Sequence, residues 1–168
     1  ELPKLRHSSE KGLRALYRNA NSSENIRKLM SLIETKTISD DHSYEDNFRP
    51  YMPRISHELI ERCINMMNIY DHCEGPFPKD SPLEYGIEFT RGPASFYLLD
   101  TRFSRNLVND VPYIMSEDNW NKLETWLSTD PDQIKFLISP VPTFVQIYDD
   151  TWAGFNADRF RLISLITK

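Results

Sequence analysis

Ser95-Phe96-Tyr97-Leu98-Leu99-Asp100-Thr101-Arg102 is the stretch on which the fold turns. Strand-forming residues run without a break into Asp, Thr and Arg. Such a run, bounded by turn residues, predicts a strand buried on both faces. Just upstream, Tyr85-Gly86-Ile87-Glu88-Phe89 alternates apolar and polar, and Arg91-Gly92-Pro93 supplies a turn. The two segments together predict a β-hairpin. Downstream, Ser116 is placed to cap a helix with Trp120, Leu123, Trp126 and Leu127 facing inward, which Asp130-Pro131 stops. Ile134-Lys135-Phe136-Leu137-Ile138 predicts another buried strand, ended by Pro140 and Pro142 because proline cannot donate to a ladder. A last helix is expected from Asn156 to about Thr167, carrying Phe160, Leu162, Ile163 and Ile166.

Upstream of the hairpin the pattern is mostly helical. Ser8 or Ser9 can cap a short helix with Leu13, Leu16 and Tyr17 at helical spacing. Ser23 can cap a second, with Ile26, Leu29, Met30 and Ile33 on one face. Thr35-Lys36-Thr37-Ile38-Ser39 is short and rich in β-branched residues and reads as a strand. It runs into the charged stretch Asp40 to Asn47, the position at a strand's carboxyl end where α/β folds place chemistry. Ser56 can cap a helix whose apolar face is Leu59, Ile60, Cys63, Met66, Met67 and Tyr70. The order is helix, helix, strand, helix, hairpin, helix, strand, helix, without internal repeats. It predicts an α/β or α+β fold. In an alternating order, another strand should follow the last helix.

Composition narrows the function classes. The chain has 168 residues, the size of one domain, and a formal net charge of −5. An acidic balance disfavours nucleic-acid binding, which needs clustered Lys and Arg. No apolar run is long enough to span a membrane. No signal peptide is visible, and a start at Glu rather than Met reads as a mature or excised segment. Cys63 and Cys73 fit no zinc spacing and read as two free thiols, with a bridge as the alternative. Cellular compartment is left open. His7, His57 and His72 stand alone and read as surface residues.

Three blocks resemble the PhoD-like alkaline phosphatases, a branch of the binuclear metallophosphoesterases. The first is Ile38-Ser39-Asp40-Asp41-His42 with Asp46-Asn47 beyond it. The second is Phe96-Tyr97-Leu98-Leu99-Asp100-Thr101-Arg102-Phe103-Ser104-Arg105. The third runs from Trp126-Leu127 through Phe136-Leu137-Ile138-Ser139 to Asp150-Thr151-Trp152-Ala153-Gly154-Phe155 and Arg159. They follow one another in the family's order. The resemblance implies that residues 1–168 are a single segment of a metallophosphoesterase-type α/β sandwich, with a β-hairpin and flanking helices, incomplete at both ends. It implies a binuclear centre of divalent metal ions, with iron, calcium, zinc and manganese all compatible. The substrate would be a small phosphate monoester or diester, and the remaining metal ligands would come from flanking segments.

By the same resemblance, Asp41 is a metal ligand, and His42 contacts the phosphate or protonates the leaving oxygen. Spacing alone favours the alternative, in which Asp40 or Asp41 caps a turn and His42 pairs with a neighbouring carboxylate. Asp40 is expected to support the site from behind, and Glu45 or Asp46 to orient His42 in place of the acid usual at Ser43. Arg102 and Arg105 suit bidentate phosphate contact. The alternative is an Asp100–Arg102 pair tying strand to loop. Trp152 either walls a substrate pocket or packs a turn. Ser43 and Ala153 depart from the family's acidic residues and point to the competing reading, a degenerate, non-catalytic structural or interaction module.

Overall fold

The computed structural model describes residues 22–34, 36, 38, 40, 86–106, 111–145 and 151–167. The expected helices beginning near Ser8 and Ser56 lie outside the described residues, as do Asp41, His42 and Asp46. Within them the fold is mixed α/β. A helix α1 (Glu24–Leu32) precedes strands β1 (Ile87–Arg91) and β2 (Ala94–Leu98). Helix α2 (Glu117–Ser128), strand β3 (Ile134–Ile138), a 3₁₀ turn (Trp152–Gly154) and helix α3 (Asn156–Ile166) follow. No helix among the described residues is long and apolar enough to cross a membrane.

The hairpin forms where the alternation placed it. Arg91 faces Ala94 in an antiparallel register, leaving Gly92 and Pro93 as the two-residue loop. Gly92 has φ +55°, a value that favours glycine, and the ring holds Pro93 at negative φ. Positive then negative is the type II′ order, whose twist matches the hairpin. At the hairpin's start, a Cβ on Gly86 would lie 2.5 Å from the Tyr97 hydroxyl oxygen, so the bare backbone there lets the Tyr97 ring lie against it.

The sheet order is β1-β2-β3, with β2 and β3 parallel. The crossover between them contains α2, as a parallel pair requires. Alternation divides the sheet into two faces. Ser95 and Tyr97 point toward α2, where the Trp126 indole N–H donates to Ser95 Oγ at 2.7 Å and the Tyr97 and Trp126 rings meet at 5.3 Å. The opposite face carries a ladder of stacked phenyl rings, Phe89–Phe96 at 4.8 Å and Phe96–Phe136 at 4.9 Å. These separations equal the strand spacing itself. β2 is accordingly buried at Ser95, Tyr97 and Leu98 but only half-buried at Ala94 and Phe96.

The core lies between the sheet and the two later helices. It gathers Tyr97, Leu99, Ile114, Met115, Trp120, Leu123, Trp126, Val141, Trp152, Phe155 and Leu162. Ser116 caps α2 as expected, accepting the Asn119 N–H at 3.3 Å. Other expectations are corrected. Ser23 stands at the N-cap of α1 without a side-chain cap bond, and α1 buries none of its residues. Lys36, Ile38 and Asp40 lie in no strand. Phe160 is exposed, because α3 turns Leu162 rather than Phe160 toward the core.

Two polar devices join α3 to its surroundings. Arg161 pairs with Glu117 at 2.7 Å and Glu124 at 3.1 Å on α2, with its guanidinium 4.6 Å from the centre of the Trp120 ring. Asp158 accepts the backbone N–H groups of Ile114 at 2.7 Å and Met115 at 3.4 Å. Burial pushes the Asp158 carboxyl above its ordinary value of 3.8, against the opposing pull of those two N–H groups and of Arg161. A raised acid binds its proton more tightly folded than unfolded. Its contribution to stability is therefore complete below the unfolded value and lost as pH rises through the folded one. Urea midpoints measured from about pH 4 upward should decline less steeply in Asp158→Asn than in the parent chain. Equal slopes would contradict this assignment.

Candidate functional site

β2 and β3 are parallel, so their carboxyl ends share one edge of the sheet. The ladder continues one step beyond β2, where Leu99 N donates to Ile138 O at 2.8 Å. The chain then forms a loop that is buried at every residue from Leu99 to Asn106. A buried loop must find partners for its own backbone. Asp100 supplies two of them: its Oδ1 accepts the N–H groups of Arg102 at 2.9 Å and Phe103 at 3.0 Å. The Arg105 Nε donates to Thr101 O at 2.8 Å, and its guanidinium lies 5.3 Å from the Phe155 ring centre. Asn106 and Tyr113 exchange both backbone bonds, at 2.8 and 2.9 Å.

Arg102 is the residue that reaches outward. Its Nε and Nη2 both donate to Asp40 Oδ1, at 3.1 and 2.8 Å. The arginine side chain is 3% exposed and the aspartate side chain 49%. The guanidinium is therefore held inside while its carboxylate partner stands at the rim. Among the described residues Asp100 and Arg102 form no side-chain ion pair. Asp100 closes the loop backbone instead, and Asp40 takes the arginine.

Trp152 is fully buried. Its indole N–H donates to Ser139 Oγ at 3.0 Å, just beyond β3, and its ring meets Trp120 edge-on at 6.2 Å. It packs the turn before α3. The Thr151 hydroxyl caps that turn by accepting the Ala153 N–H at 3.3 Å. The Asp40, Asp100-Thr101-Arg102 and Trp152 segments thus meet at one edge of the sheet.

No family model matches the chain, and no curated protein or solved structure matches it either.

Among the described residues there is no group of three or more His, Cys, Asp and Glu that could hold a metal ion. Asp100 directs one oxygen to backbone N–H groups, and Asp40 carries the Arg102 fork. The described side chains therefore do not make up a metal centre. A groove of about 610 Å³ lies elsewhere, on the helix-covered face, between Leu99, Trp126, Leu137, Phe144 and Leu162. Asp40, Asp100, Arg102, Arg105 and Trp152 do not line it.

Sequence reasoning did not single out Ser139, Asp158 or the Ser104–Asn119 contact, in which Asn119 Nδ2 donates to Ser104 Oγ at 3.0 Å. Asp158 carried a readable signal, an acid in the first turn of a helix. Ser139 and Ser104 carried none, since their partners are set only by the tertiary fold.

Proposed function

We propose that this chain is part of a metal-dependent phosphoric ester hydrolase of the PhoD-like kind, and that its sheet and helices are one portion of that family's α/β sandwich. The observation that carries the reading is the Arg102–Asp40 contact. It joins two sequence blocks 62 positions apart that resemble the family independently of one another. The third block meets the second through the Arg105–Phe155 and Tyr97–Trp126 contacts.

In this reading Asp41, next in sequence to the carboxylate held by Arg102, ligates a divalent metal. His42 contacts the phosphate or protonates the leaving oxygen, with Glu45 or Asp46 orienting its ring. Arg102 holds Asp40, the residue that precedes Asp41 in the sequence. The substrate is a small phosphate monoester or diester. A catalytic metal takes about three protein ligands, so a binuclear centre needs more than Asp41 and His42 supply, and the rest is assigned to flanking sequence.

The test compares these 168 residues with a longer chain that carries its flanking sequence. The 168 residues alone are expected to hydrolyse little or no p-nitrophenyl phosphate. The longer chain should contain metal by elemental analysis and turn the ester over, and Asp41→Ala should abolish turnover while the fold persists. Metal-dependent turnover by the 168 residues alone, lost in Asp41→Ala, would overturn the partial-site reading.

One set of observations favours the second reading, a non-catalytic module. Asp40, Asp100 and Trp152 all serve structural contacts, and Ser43 and Ala153 replace acids usual in the family. A longer chain that folds, binds no metal and hydrolyses nothing would favour that module over the enzyme.

A further inference from the structure

We draw no further inference here: the strongest candidate, the apolar groove between α2, β3 and α3 that Trp126, Leu137, Phe144 and Leu162 line, carries nothing, because the Lys135 ammonium that would hold an anionic ligand there is already bound by the Trp126 and Thr129 carbonyls and nothing in the structure shows what covers it.

Discussion

Trp152→Ala should destabilise the folded chain by about 3–5 kcal/mol, the range for removing a large aromatic from a core. The indole is fully buried and meets Trp120 edge-on at 6.2 Å. Truncation leaves a cavity between α3 and the end of β3 and removes the indole N–H that Ser139 Oγ accepts, although that hydroxyl still donates to Val141 O. Trp152→Phe keeps most of the ring and loses chiefly that bond, so about 1–2 kcal/mol is expected. Urea denaturation of the three proteins measures both. A loss under about 1 kcal/mol for Ala would remove Trp152 from the core and return it to a substrate-wall role.

The next largest effect is expected at Asp100. Its Oδ1 accepts two N–H groups inside a buried loop. Leaving a buried donor unsatisfied costs about 1–3 kcal/mol, so Asp100→Ala should lose about 2–5 kcal/mol. Asp100→Asn keeps an acceptor oxygen at the same place and should lose less than half as much. The pair of variants separates two roles. If shape and hydrogen bonding matter, Asn rescues. If the negative charge matters, as for a group facing a cation, Asn is as damaging as Ala.

The regular elements were legible because each was signalled locally. Gly92-Pro93 and its flanking alternation announced the hairpin, Ser116 announced α2, and Ile134–Ile138 announced β3 as a run bounded by turns. The expected burial is corrected: no residue of β3 is buried, and β2 is only half-buried at Ala94 and Phe96. Errors arose where the tertiary environment decides. Thr35–Ser39 has β-branched composition, yet its described residues join no strand, because composition supplies no neighbour with which to pair. Phe160 is apolar and helical, but the rotation of α3 is set by its contacts with Trp120 and the turn at Trp152.

The candidate site was legible as residue types and not as partnerships. Asp100 and Arg102 sit two positions apart and read as a pair. The side chain nearest in sequence is nevertheless occupied by the loop's own N–H groups, and the arginine turns to a carboxylate far away in the chain. The burial of the whole loop from Leu99 to Asn106 had no sequence signal beyond its aromatic and apolar flanks.

The Asp40–Arg102 contact has a consequence for how the chain holds together. Closing a flexible loop of 62 positions opposes folding by about 4 kcal/mol in the limit of an unstructured connection, an upper bound because the hairpin lies within it. An ion pair with one half-exposed partner contributes at most about 1 kcal/mol. The pair therefore reports that the Asp40 segment is docked more than it does the docking.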